Sequence, residues 1–213
     1  IGTKPNYQRI KELGKENVRA LIIDSLYVHL PRKTPSEKVA REMLKEVLEI
    51  DSDKRGVIVT TFSSHMARLK SIIEFGKTMK RRVVFLGRSL ARYTYAAEEV
   101  GIVKFSDSVE IVPFKKQIKR KLMEIEKQGR EKYLIVATGH QGEPDSVLSR
   151  IAGNEFGFRL NPNDHVIFSC NVIPTTLNFN NREELEKKLS ESRVRIFKDI
   201  HQSGHASKED HRE

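Results

Sequence analysis

The sequence predicts a three-layer α/β fold: a mostly parallel sheet of about six strands with helices packed on both faces. Three observations lead to it. Short β-rich apolar runs alternate with amphipathic helical stretches along nearly the whole chain, the pattern of a parallel sheet covered on both sides. The 213 residues are 38% hydrophobic, enough to bury the core that such a sheet needs. No internal repeat or low-complexity linker interrupts the alternation, so residues 1–213 read as a single domain.

In chain order, the strand candidates are ALIID at 20–24, VIVTTF at 57–62, RVVFLG at 82–87, YLIVAT at 133–138, HVIFSC at 165–170 and VRIFKD at 194–199. Between the first two, TPSEKVAREMLKEVLEI reads as a helix with Thr34 as N-cap, Pro35 at the first helical position and Glu37 closing a capping box. Val39, Met43, Val47 and Leu48 mark its apolar face. HMARLKSIIEFGKTM follows with Met66, Leu69, Ile72 and Ile73 at helical spacing. SLARYTYAAEEVGI stops on Gly101, and KKQIKRKLMEIEKQG stops on Gly129. The KKQIKRK run reads as the solvated face of its helix, because Ile118, Leu122 and Ile125 take the other face.

Against 39 Lys+Arg stand 29 Asp+Glu, a formal charge of +10 that favours a polyanionic partner or serves solubility. Cys170 is the single cysteine and lies in an apolar run, which excludes disulfides and Cys-rich zinc sites and points to a reducing compartment, the cytoplasm. No apolar stretch approaches the roughly 18 to 20 residues of a membrane span. The start on Ile1-Gly2-Thr3, without Met or a signal-peptide core, suggests a chain cut from something longer.

In doubly wound sheets ligands bind beyond the carboxyl ends of the strands. Here those positions are small and polar: Asp24-Ser25, Ser63-Ser64-His65, Gly87-Arg88-Ser89, Thr138-Gly139-His140-Gln141-Gly142-Glu143, Asn171, and Ser203-Gly204-His205. Glycines and hydroxyl residues let backbone amides approach phosphate oxygens, while Arg88 and the imidazoles add charge or a proton. Each taken singly has an ordinary structural explanation, Ser63 or Ser64 as a cap and Gly87 or Gly142 as a turn former. Their recurrence at every strand end outlines a phosphate-reading cleft. The closing Ser-Gly-His-Ala-Ser is expected to open a helix and to hold an anion on its amides. Asp24 ends an apolar strand, a costly place for a carboxylate without a partner; His205 is one candidate partner, and a turn cap is the other reading.

No GxGxxG follows the first strand and no GxxxxGK[ST] occurs anywhere, so dinucleotide and P-loop sites lack their fingerprint, and a small-molecule phosphate enzyme of that type is disfavoured. His201 and His205 stand four apart on a loop with no third ligand, so no metal site is expected within these residues.

The segments TTFSSHMARLKSI, LGRSLARYTYAAEEVGI, ATGHQGEPDSVLSRIA, VIFSCNVIP and SGHAS resemble, in that order, those of the β-CASP domain of ribonuclease J, most of all its archaeal form. The resemblance implies a Rossmann-like β-CASP domain inserted into a metallo-β-lactamase core, with single-stranded RNA running between them toward two zinc ions. It implies that Asp24 pairs with His205 and that His205 acts near the scissile phosphate. It also implies that Ser203, Gly204, Ala206 and Ser207 help seat a phosphate, with RNA digested 5′ to 3′ from a 5′-monophosphate end. The zinc ligands of the family, an HxHxDH motif and others, are expected before Ile1, with a further histidine after Glu213. On that reading this stretch alone does not cleave RNA, and a homodimer of the full-length protein is compatible with it. His140 replaces the family's usual Ser, Leu26-Tyr27 its Thr-Asn, and Pro174-Thr175-Thr176-Leu177 its Pro-Gly-Asn-Glu. A protonated His140 would tighten phosphate binding; a neutral one would fill space. The competing function is a stand-alone nucleic-acid or nucleotide-phosphate binding module without catalysis.

Overall fold

Six parallel strands in the order β3-β2-β4-β1-β5-β6 form the sheet of the computed structural model, which describes residues 5–50 and 54–212. The Ile1-Gly2-Thr3 start lies outside the described residues. The strands are β1 (Val57–Thr60), β2 (Arg82–Leu86), β3 (Glu110–Val112), β4 (Tyr133–Ala137), β5 (His165–Phe168) and β6 (Arg195–Phe197). They belong to a larger compact unit spanning residues 37–201; residues 5–36 and 202–212 form a smaller one.

The helices of the larger unit follow from the same apolar periodicity. They are α2 (Glu37–Glu49), α3 (Met66–Thr78), α4 (Arg88–Glu99), α5 (Lys115–Gln128), α6 (Val147–Ala152) and α7 (Thr176–Glu191); α1 (Tyr7–Leu13) lies in the smaller unit. Alternate strand residues face opposite layers, so Val57 and Val59 pack with Leu44, Leu48, Leu69, Ile72 and Leu90 of α2, α3 and α4. Ile58 faces the other way, in the cluster that holds Leu122, Leu148 and Leu185 of α5, α6 and α7. The predicted three layers are therefore present, with two cores separated by the sheet. Gly101 (φ +73°) and Gly129 (φ +102°) sit beyond α4 and α5 in the left-handed region that ends a helix.

Four local expectations are corrected. Residues 20–24 form no strand: Leu21, Ile22 and Ile23 are exposed, and the sixth place in the sheet is filled by β3, a three-residue edge strand too short to announce itself. α2 starts at Glu37, not at a Thr34 cap; the Thr34 hydroxyl instead meets the Asp210 carboxylate at 2.6 Å. Its buried face keeps Val47 and Leu48 of the predicted stripe and adds Ala40 and Leu44, Met43 packs against the core partly buried, and Val39 is exposed. Ser-Gly-His-Ala-Ser opens turns over residues 208–211, not a helix.

Two polar devices at the amino ends of the strands escaped the sequence reading. Asp164 accepts from the Gly56 amide at 2.8 Å and from Arg130 at 2.5 Å, a buried ion pair with hydrogen bonds on both carboxylate oxygens. Beside it His165 is fully buried against Phe197, with ring centroids 5.1 Å apart and, among the described residues, no hydrogen bond at either ring nitrogen. Burial, then the guanidinium groups of Arg195, Arg55 and Arg81, lower its pKa to about 4. The unfolded chain therefore binds a proton that the folded chain refuses. Full stability is present above pH 6.5 and falls as the pH drops through the window toward 4, by up to about 3 kcal/mol. His165→Phe keeps the packing and removes the proton; its urea midpoint is expected to be less sensitive to pH between 6.5 and 4 than that of the wild type, and equal sensitivity would refute the assignment.

Candidate phosphate-handling site

Because β1 and β4 are neighbours while α3 and α6 leave them on opposite faces of the sheet, their loops diverge and open a crevice at the carboxyl edge. It brings the Ser63-Ser64-His65 loop together with Gly139-His140-Gln141. The Phe62 ring meets the His140 ring edge-on, with centroids 4.3 Å apart. Ser64 is exposed at the tip, whereas Ser63 is buried. His65 caps α3, its Nδ1 accepting from the Arg68 amide at 3.2 Å, and its Nε2 lies 3.5 Å from Glu37. Burial lowers the pKa of His65, opposed by the Glu37 carboxylate.

Burial, the largest influence, holds the His140 pKa below the usual histidine value, Glu143 opposing and Arg182 reinforcing the shift. Gln141 is 4% exposed and its amide is engaged at both ends: Nε2 donates to the Asn171 carbonyl at 3.0 Å and Oε1 accepts from the Ile173 amide at 2.7 Å. It fastens the β4 loop to the β5 loop and has little left for a ligand. Gly139 is required by its φ of +124° and because a Cβ would stand 2.4 Å from the Ser146 hydroxyl. Cys170 lies beneath, buried, its thiol pushed up to about 12 and inert.

Arg88 and Ser89 occupy the first turn of α4, exposed and beyond β2. They line a cleft of about 460 Å³ that also takes in Thr138, Ser146 and Lys115. Gly87, with φ +133°, makes the turn that presents them.

In the smaller unit the predicted pair is formed. His205 Nδ1 lies 2.7 Å from Asp24 Oδ2, while Asp24 Oδ1 accepts from the Leu26 amide at 3.1 Å. Both readings of Asp24 hold at once: it caps its turn with one oxygen and orients the imidazole with the other. The reason given for the pair does not hold, since Asp24 is about half exposed and is not a buried strand carboxylate. The Leu26 amide, and next His205, hold its carboxyl below the ordinary aspartate value. With Nδ1 engaged, His205 has Nε2 for a proton transfer, and the Tyr27 ring packs edge-on at 5.7 Å.

In the adjoining loop the Ser207 amide meets a carboxylate of the chain itself, Asp210. Ser207 is 1% exposed, and its amide donates to Asp210 Oδ2 at 2.8 Å and to the Thr34 hydroxyl at 3.0 Å. Ser203 accepts from the His205 amide at 3.2 Å; Gly204 is exposed, with open space where a Cβ would project; Ala206 is half-buried. Tyr27, Thr34 and Asp210 were missed because their roles arise from pairings some 170 residues apart in sequence, as for Thr34 with Asp210 and Ser207. Phe62 carried a signal, an aromatic at a polar strand tip. Among the described residues no group of three or more His, Cys, Asp or Glu could hold a metal ion.

An open all-parallel sheet with helices on both faces and polar loops gathered at its carboxyl edge defines an open three-layer α/β protein. The family is more specific: residues 54–184 match the family described as Ribonuclease J, beta-CASP domain, and the chain belongs to it. It is 45% identical over its full length to Ribonuclease J of Methanocaldococcus jannaschii and 45% identical over 99% of its length to that of Pyrococcus abyssi. It is 30% identical over 96% of its length to Ribonuclease J of Sinorhizobium meliloti. The chain spans about half the length of the two archaeal relatives, 48% and 46%.

Proposed function

We propose that these 213 residues are one β-CASP domain, the RNA-facing part of a ribonuclease J-like enzyme that degrades or processes single-stranded RNA in the cytoplasm, working 5′ to 3′ from a 5′-monophosphate end. The observation that carries the reading is the Asp24–His205 pair in a chain of this family. In it Asp24 fixes the imidazole tautomer, and His205 Nε2 exchanges a proton with an oxygen of the scissile phosphate. The zinc ions that would activate water belong, on this proposal, to residues outside this sequence. Among the described residues no helix is long and apolar enough to cross a membrane, and the formal charge of +10 suits a polyanion.

The test compares this chain with the full-length protein on 5′-monophosphorylated RNA. The full-length protein is expected to release nucleotides from the 5′ end. The chain alone is expected to bind RNA weakly, with affinity falling steeply as salt rises, and to cleave none. Cleavage by the chain alone, or an affinity indifferent to salt, would sink the proposal; the second result favours a specific small-ligand module.

A further inference from the structure

The cleft beside Arg88 continues into a second hollow of about 680 Å³, the two sharing Arg88, Ser89, Pro113 and Phe114. Arg88, Arg92 and Tyr95 lie at i, i+4 and i+7 on α4, so they line up on one face along about 10 Å of helix. The opposite stripe, Leu90, Thr94 and Ala97, is buried, which leaves this one to solvent. Phe114 is 59% and Tyr95 49% exposed, large rings that nothing in the larger unit covers. The Arg88 and Arg92 side chains have no hydrogen bond or ion pair among the described residues.

The groove is cationic in balance. Arg88, Arg92, Lys115 and Arg150 line it against Glu143 and Asp145. Arg150 is tied to Asp145 and Glu155, and Lys115 to Glu155, so the two arginines of α4 are the charges left for a ligand. Exposed aromatics interleaved with unpaired guanidinium groups suit a polymer of negative backbone and stackable rings. An acidic peptide would use the charges but not the rings.

The structure assigns this groove to single-stranded RNA as an auxiliary track: bases stack on Phe114 and Tyr95, and phosphates meet Arg88 and Arg92. The assignment rests on the ribonuclease reading and deepens it by naming a segment of substrate held away from the Asp24–His205 pair in sequence and chemistry. Its test is anisotropy titration of the full-length protein with a labelled single-stranded RNA of about 20 nucleotides, alongside the four-residue variant Arg88→Gln, Arg92→Gln, Tyr95→Ser, Phe114→Ser. All four side chains are exposed, so an unchanged thermal midpoint is expected and is measured. The variant is expected to bind at least about tenfold more weakly, and its slope of log affinity against log salt is expected to shrink by about 1.4, the share of two phosphate contacts. The pair Tyr95→Ser, Phe114→Ser should weaken binding with the salt slope kept. Equal affinity of variant and wild type overturns the track while leaving the ribonuclease reading intact. A wild-type protein that binds no RNA overturns both.

Discussion

His205→Ala in the full-length protein is expected to lower the rate of RNA hydrolysis by about 10²–10⁴-fold, the usual cost of losing a positioned acid or base. Binding should change little, because His205 is half exposed and among the described residues its ring meets only Asp24 and the edge of Tyr27. Single-turnover rates on 5′-labelled RNA measure the first effect and anisotropy the second. Asp24→Asn should produce a smaller loss in the same step, since the imidazole stays but its tautomer is no longer fixed. The pairing has a defined pH range. Asp24 is held below the ordinary aspartate value, by the Leu26 amide and next by His205, so the contact is complete above that value. It is lost as the pH falls through the lowered one. A His205→Ala protein that retains wild-type single-turnover rates would remove His205 from the chemistry.

Arg68→Leu is expected to destabilise the larger unit by about 3 kcal/mol, the lower end for breaking a buried ion pair because Glu37 keeps 31% of its side chain exposed. Arg68 itself is completely buried in α3. Its Nε and Nη2 fork the Glu37 carboxylate at 2.6 and 2.9 Å, while Nη1 donates to the carbonyls of Ser169 and Ile200, both at 3.0 Å. Leu cannot replace any of these: the Glu37 carboxylate loses its fork, and the Ser169 and Ile200 carbonyls keep only the Thr61 and Ser169 hydroxyls that also donate to them. Arg68→Lys keeps the charge but not the fork and should fall between the two. Urea unfolding reads the loss; a midpoint unchanged within error would mean that water serves those acceptors equally well. The consequence reaches the crevice, because Arg68 ties α3 and its His65 cap to the chain that follows β5.

Part of this protein is legible without coordinates. Five of the six strands and α2 to α5 declare themselves through local periodicity, since a strand or helix buried in a layered fold must carry its apolar residues at the spacing of its own backbone. The Gly101 and Gly129 stops are local for the same reason, and so is the order of motifs that marks the ribonuclease J family. Periodicity failed where burial does not follow apolarity. The ALIID run is as apolar as any strand yet lies exposed, while Glu110-Ile111-Val112, scarcely a pattern at all, takes the edge position beside β2.

The site divides along the same line. The pairing of Asp24 with His205 was legible through the family resemblance and not through burial, since Asp24 is about half exposed. What the tertiary structure alone decided is which polar groups remain open to a ligand. Gln141 is engaged by Asn171 and Ile173, His65 Nδ1 by the start of α3, and the Ser207 amide by Thr34 and Asp210, whereas Arg88 and Arg92 stay unpaired among the described residues. A residue type announces what a side chain can bind; only the fold brings up the neighbour, distant in sequence, that claims its donors and acceptors first, because a buried polar group left unmatched is costlier than almost any other local choice.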